Sequence, residues 1–67
     1  MSRFDYEASK RIRAEGYPFY AVLMAAMRQA DSSNAARLRL AFPEVWNELQ
    51  ARYEAPGGYL PGEQVAE

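Results

Sequence analysis

Residues 18–30 read PFYAVLMAAMRQA, and from Phe19 to Met27 no charged side chain occurs on any helical face. Apolar side chains recur at the i, i+3 and i+4 spacing of one face, and further apolar side chains fall on the opposite face. Pro18 is typical of a first helical position, where its missing N–H is not needed. Because a helix that is apolar all round is a buried helix, the segment predicts a central helix covered by neighbouring helices or by a second copy of the chain.

Capping residues and helix breakers predict three further helices. Ser2 and the run DSSN at 31–34 contain the residue types that accept hydrogen bonds from the free N–H groups of a helix start. Gly16 stands where a left-handed C-cap is expected, and Pro43 is suited to begin a new helix. The predicted helices cover about residues 3–15, 18–30, the DSSN run to 41, and 43–54.

Each of these three helices has an apolar stripe. The side chains predicted to face the core are Phe4, Ala8 and Ile12 in the first helix, Leu38 and Ala41 in the third, and Val45, Trp46, Leu49 and Tyr53 in the fourth. The sequence thus predicts an all-α domain over residues 1–58, a small bundle of three to four short helices around a central apolar helix. A Pro/Gly-rich group ends the fourth helix, and residues 59–67 are predicted to form a flexible tail.

The composition of this 67-residue chain excludes several kinds of site. It has no Cys and no His, so it forms no disulfide and offers no imidazole or thiolate ligand for zinc or haem. The commonest general base is therefore missing, and we expect neither catalysis nor a cofactor. The apolar run is too short to span a membrane and the N-terminal residues lack a signal-peptide core, so the expected compartment is the cytoplasm.

The charges divide between the two halves of the chain. Residues 1–39 carry seven basic and four acidic side chains, whereas residues 40–67 carry one arginine and five glutamates. This polarity suits antiparallel or head-to-tail self-association, or a partner with one charged face. A homo-oligomer is predicted because a domain this small often needs oligomerisation and three short helices do not readily cover a helix that is apolar on every side. The alternative is that the charges only solvate helix faces. Two ion pairs one turn apart are also predicted, Glu7 with Arg11 and Glu48 with Arg52.

The aromatic and arginine residues are candidates for a binding surface. Tyrosine and arginine are enriched at protein interfaces, where a ring packs while a polar group finds a partner. Contacts with a partner protein are predicted for Tyr17, Tyr20, Arg28, Arg52, Tyr53 and Tyr59.

The alternative ligand is a small anionic nucleotide, either cyclic or resembling ADP-ribose. In that case the tyrosines near the C-terminus stack on the base, an arginine pairs with the phosphate, and two adjacent glycines donate backbone N–H groups. The residues of such a site are Arg28, Arg52, Tyr53, Gly57, Gly58 and Tyr59. The competing interpretation of the glycines is simple helix termination.

A third possibility is DNA binding. The second helix, the DSSN turn and the third helix follow the order of a helix-turn-helix, with Ser32, Ser33, Asn34, Arg37 and Arg39 on the recognition helix. A pI near 5.4 and the lack of a basic stripe disfavour this reading. Glu44 and Glu48, one turn apart, are interpreted as a solvated face rather than as a cation site or an acid–base pair.

The segments PFYAVLMAAMRQAD and FPEVWNELQARYEAPGGYLPGE resemble small helical proteins encoded by tailed bacteriophages and prophages. The resemblance covers most of residues 17–63 and includes no motif of known function, so it assigns no functional residue. It implies a viral protein that acts by binding in the host cytoplasm. Such proteins serve counter-defence by blocking a host or defence protein or by sequestering a signalling nucleotide.

Overall fold

The structure is a computed structural model that describes residues 1–63 of the chain. Within this range it contains four α-helices and no strand. The helices are α1 (Arg3–Ala14), α2 (Phe19–Gln29), α3 (Ser32–Ala41) and α4 (Pro43–Glu54), and one 3₁₀ turn, Pro56–Gly58, follows α4. The all-α prediction is confirmed, and the predicted helix bounds are close to the observed ones. Pro18 is the N-cap residue of α2 rather than its first helical residue.

Side-chain caps set the beginnings of α1 and α3. The Asp5 N–H donates to Ser2 Oγ (3.1 Å) and the Ser2 N–H donates to Asp5 Oδ2 (3.0 Å), which is a reciprocal capping box. At α3 the Asn34 N–H donates to Asp31 Oδ1 (2.8 Å). Gly16 follows α1 at φ +76°, the left-handed conformation that glycine adopts most easily. These local interactions account for the agreement between sequence and helix bounds.

The hydrophobic core is small and lies around α4, which packs against α2, α3 and the 3₁₀ turn. Its buried side chains are Leu23, Met27 and Leu49, and half-buried Met24, Leu38, Val45 and Trp46 pack against them. The helix with the most packing neighbours is therefore α4, although α2 has the most apolar sequence.

The other helices of the chain leave much of α2 uncovered, so they do not by themselves supply the cover that was predicted for a helix apolar all round. Leu23 and Met27 are its buried residues, whereas Tyr20 is 60% exposed and Ala21 and Ala25 on another side are also exposed. The physical reason is that α4 covers α2 only on the Leu23 side. The remaining apolar surface of α2 faces solvent in one copy of the chain.

The predicted core stripe of α1 is also exposed. No residue of α1 is buried, and Phe4 is 72% and Ile12 47% exposed. Ala41 of α3 and Tyr53 of α4, likewise predicted to face the core, are exposed too. The chain measures 42 × 29 × 16 Å, and its radius of gyration of 14.2 Å exceeds the roughly 11 Å of a compact domain of this length. Of the predicted core residues, Leu49 is buried and Leu38, Val45 and Trp46 are half-buried, whereas the α1 stripe does not reach the core.

The segment after α4 is attached to it. Tyr59 and Leu60 are half-buried, and the Glu63 N–H donates to the Leu60 carbonyl (3.0 Å) in a final turn. The sequence predicts a flexible tail over residues 59–67. The last four residues of this tail, 64–67, lie outside the described residues.

Candidate functional site

Helices α2 and α4 lie side by side and run in the same direction. Near their first turns the ring centroids of Phe19 and Phe42 are 6.3 Å apart. Near their last turns the guanidinium carbon of Arg28 lies 4.9 Å from the centroid of the Tyr53 ring. We call the exposed and half-buried side chains along this pair of helices the α2–α4 surface; its members are Phe19, Tyr20, Met24, Arg28, Phe42 and Tyr53.

The N-terminal end of the α2–α4 surface is aromatic. Phe19 and Tyr20 are in edge-to-face contact, with centroids 5.2 Å apart and ring planes at 74°. Phe42, between α3 and α4, adds a third ring beside Phe19. Both Phe19 and Tyr20 are more than half exposed, so this cluster presents apolar area to solvent.

The middle of this surface is a depression of about 310 Å³ between the two helices. Tyr20, Met24 and Val45 supply its apolar part, and the carboxylates of Glu44 and Glu48 stand along it. Met24 and Val45 are half-buried, whereas the two glutamates are exposed. A group that is apolar with a positive charge at its edge fits this combination, and a phosphate does not.

The C-terminal end of the surface is a cation–π pair. Arg28 lies over the Tyr53 ring, and both side chains are exposed. Such a pair at an exposed site stabilises by about 0.5–1 kcal/mol, which is enough to favour one arrangement of two long side chains. The pair therefore presents a guanidinium and a ring in a partly ordered geometry. A similar exposed pair, Lys10 over Tyr6 at 5.0 Å, occurs on α1.

Arg52, predicted as a ligand contact, has several partners in its own chain. Its guanidinium donates to both carboxylate oxygens of Glu63 (2.8 Å each), to the Gly58 carbonyl (2.8 Å) and to Glu48 (3.3 Å). The Glu63 carboxylate also accepts the Leu60 N–H (2.8 Å). The hydrogen bond from Arg52, followed by that from Leu60, lowers the pKa of the Glu63 carboxyl to about 2. Arg52 thus holds the last turn against α4.

Gly57 and Gly58 form the 3₁₀ turn, and both have positive φ, +65° and +76°. The Gly58 N–H donates to the Ala55 carbonyl (3.0 Å), and the Tyr59 N–H donates to the Pro56 carbonyl (3.4 Å). A Cβ on Gly57 would lie 3.1 Å from a carbon of the Tyr59 ring, so the turn also needs the space that glycine leaves. The helix-termination interpretation explains these contacts. A phosphate at the depression of about 510 Å³ nearby would meet the Glu63 carboxylate and compete with it for Arg52.

The eight predicted contact residues therefore occupy three places. Tyr20, Arg28 and Tyr53 lie on the α2–α4 surface, Tyr17 lies in a separate groove between α1 and α2, and Arg52, Gly57, Gly58 and Tyr59 form the C-terminal turn. Sequence reasoning missed Met24, although its spacing of four from Tyr20 and from Arg28 indicated a shared helical side. It also missed Phe42 and Glu63, for which no local pattern gives a signal.

The DNA-binding residues predicted on α3 are all exposed. Asp31 begins that helix with a carboxylate, which weakens its attraction for phosphate. Within residues 1–63, no group of three or more acidic side chains is arranged to hold a metal ion. None of the helices in this range has the length and hydropathy that crossing a bilayer requires.

Fold and surface together define a small all-α protein with an exposed aromatic and arginine face. Comparison of the chain with protein-family models, curated proteins and solved structures finds no match. The resemblance to phage and prophage proteins therefore stays a prediction.

Proposed function

We propose that this protein acts without catalysis, by binding another protein through the α2–α4 surface and thereby inhibiting or modulating it. The observation that supports this proposal most is the exposure of Phe19, Tyr20 and Arg28 on α2 together with Tyr53 on α4. Aromatic residues and arginine are the types that most often dominate binding energy at interfaces. Rings that face water in one chain contribute little to its stability, whereas a partner would bury them and gain free energy of binding.

The proposed partner has a surface of matching chemistry. An aliphatic or aromatic side chain fills the depression between Tyr20 and Val45, and a basic residue at its edge pairs with Glu44. An acidic or carbonyl-rich segment meets Arg28 at the other end. The resemblance to phage proteins suggests a host or defence factor as this partner, in the host cytoplasm.

Two matched double variants test the proposal. Arg28→Ala with Tyr53→Ala removes the cation–π pair of the α2–α4 surface, and Lys10→Ala with Tyr6→Ala removes the similar pair on α1. Tyr6 and Tyr53 are each 57% exposed, so the two changes disturb the fold alike. The partner is first captured from host lysate by the unaltered protein, and its affinity for each variant is then measured.

We expect the Arg28/Tyr53 variant to bind about 30-fold more weakly, which corresponds to about 2 kcal/mol for a hot-spot pair. We expect the Lys10/Tyr6 variant to bind like the unaltered protein. Equal losses in both variants, or none in either, would contradict the proposed surface. A covalent change in the recovered partner, seen by intact mass, would contradict the absence of catalysis.

Nucleotide sequestration is the second candidate, and the depression beside Arg52 and Tyr59 is the observation in its favour. A bound nucleotide would raise the melting temperature with increasing ligand concentration. Because the Glu63 carboxylate already pairs with the Arg52 guanidinium, we expect ADP-ribose or a cyclic dinucleotide not to change the melting temperature. A saturable shift that Arg52→Ala abolishes would favour sequestration over the protein-binding proposal. DNA binding ranks third.

A further inference from the structure

An open groove of about 550 Å³ runs along α2, and Ile12 of α1 and Tyr17 of the corner before α2 border it. We call it the α1–α2 groove; its main lining residues are Ile12, Tyr17, Ala21, Val22, Ala25 and Ala26. Apart from Gln29 at one end and the Tyr17 hydroxyl, the lining is aliphatic and aromatic carbon. This side of α2 differs from the side that carries Tyr20, Met24 and Arg28.

The chain exposes more surface than its size requires. Its accessible surface is 5911 Å². A compact monomer of 7.6 kDa exposes roughly 4,300 Å², so the difference is about 1,600 Å². A standard protein interface removes about 800 Å² from each partner, and obligate homodimers remove more. The surplus of the whole chain therefore exceeds the area that each partner of a standard dimer buries.

We propose that a second copy of the chain fills the α1–α2 groove, so that the two α2 helices pack against each other about a twofold axis. An isologous arrangement of this kind closes on itself and uses one patch twice. The groove combines large and small side chains, as a self-complementary patch requires. Ile12 of α1 is large, whereas Ala21 and Ala25 of α2 are small, so a helix can pack closely onto them.

The helix dipoles favour an antiparallel pairing of the two α2 helices, because each positive N-terminal end then lies beside a negative C-terminal end. Charged side chains discriminate less, since Arg28 in the last turn of one α2 then approaches the basic corner of the other copy. Arg11 and Arg13 make the end of α1 basic, close to the corner that leads into α2. An antiparallel pairing separates the two basic corners by about the length of α2, roughly 16 Å, whereas a parallel pairing brings them together. The groove residues of α2 extend from Ala21 to Gln29, so the axis passes near Ala25. Each Ala25 then faces its own copy.

This dimer leaves the α2–α4 surface of both copies exposed. The two surfaces lie on different sides of α2, so self-association and binding to another protein involve different residues. The dimer can then engage two partner molecules, or two sites of one oligomeric partner, with the gain in avidity that bivalency gives.

Cysteine crosslinking tests the twofold axis directly, because the chain has no cysteine of its own. Ala25→Cys is compared with Ala36→Cys, which is an exposed alanine on α3 outside the groove. We expect Ala25→Cys to oxidise rapidly to a covalent dimer, since close helix crossing brings the two Cα atoms within disulfide range. We expect Ala36→Cys to form no covalent dimer under the same conditions. Equal crosslinking at the two positions would overturn the assigned axis.

Light scattering of the purified protein tests the dimer itself. We expect a mass of about 15 kDa for the unaltered chain and for Ala36→Arg, and a mass of one chain for Ala25→Arg. Because Ala25 is exposed in the single chain, the arginine does not disturb Leu23 or Met27 on the core side. A monomer at millimolar concentration, an Ala25→Arg dimer or an open-ended polymer would each overturn the proposal. None of these results depends on the partner protein.

Discussion

At the scale of single residues, Arg52 shows how tertiary contacts change the role that the sequence suggests for a side chain. Its spacing of four from Glu48 predicts an ion pair, and this pair is confirmed at 3.3 Å. The stronger geometry is the two-pronged contact with Glu63, eleven residues later in the chain. Because two Gly-containing turns separate the residues, no local pattern indicates that contact. The residue that the sequence offers as a phosphate ligand thus secures the C-terminal segment.

The predicted pair of Glu7 with Arg11 gives a second lesson at this scale. Glu7 instead pairs with Arg3 (3.0 Å) and Lys10 (3.6 Å). Helical spacing lists the candidates within reach, and when several basic residues surround one carboxylate it does not select among them. These exposed pairs contribute little to stability, so the difference has small consequences for the fold.

Arg52→Ala is expected to change the titration of Glu63. In the folded chain the pKa of Glu63 is about 2, below its ordinary value. The contact between Arg52 and Glu63 therefore stabilises the folded chain fully above a pH of about 4.5. This stabilisation is lost as the pH falls towards 2. We expect carboxyl NMR titration to show the pKa of Glu63 rising towards the ordinary value of about 4.3 in Arg52→Ala.

The matched control for this titration is Arg39→Ala, which removes an exposed arginine from α3. That variant should leave the pKa of Glu63 unchanged. The Leu60 amide, which donates to Glu63, provides a second signal across the same pH range. If Glu63 titrates identically in both variants, the contact with Arg52 does not form in solution.

At the scale of elements, α4 organises the core, and Leu49 at its centre is 5% exposed. We expect Leu49→Ala to lower the free energy of unfolding by about 2–5 kcal/mol, the usual cost of removing a buried leucine. A domain of this size rarely has more than about 3–5 kcal/mol in total, so the variant should be largely unfolded. Leu40, which is 85% exposed on α3, gives the control.

The measurement is urea unfolding followed by circular dichroism at one fixed protein concentration. The free energy of unfolding of Leu40→Ala should lie within about 0.5 kcal/mol of that of the unaltered chain, as is usual for surface substitutions. Similar losses for Leu40→Ala and Leu49→Ala would contradict the placement of Leu49 in the core and of Leu40 at the surface.

The helices themselves were largely predictable because their signals are local. Ser2 with Asp5, Gly16 and Asp31 act on backbone groups within a few residues, and the sequence contains all of that information. The packing was less predictable. Periodicity shows which side of α1 or α2 is apolar, but it does not show whether the same chain or another one covers that side. The α2–α4 surface and the Glu63 contact depend on packing, and so lay beyond local pattern.

At the scale of the whole molecule, three buried side chains form the core within residues 1–63. Burial of this extent is small for a domain, since each side chain contributes about 1.5–3 kcal/mol against a larger loss of conformational entropy. The proposed dimer would add stability by burying the apolar sides of α1 and α2 that the single chain leaves exposed. Folding and self-association should be linked, and the stability of the chain should depend on its concentration.

This linkage predicts a melting temperature that rises by about 5 °C for each tenfold increase in protein concentration. The estimate follows because a tenfold change contributes about 1.4 kcal/mol per dimer, and unfolding two chains gains about 2.1 cal/mol/K for every residue. Ala36→Arg should show the same slope. Ala25→Arg should melt at a lower temperature that does not change with concentration, because a monomer unfolds in a unimolecular step. Should the unaltered chain melt at one temperature across a hundredfold range, its small core would be sufficient alone, and the exposed side of α2 would need another explanation.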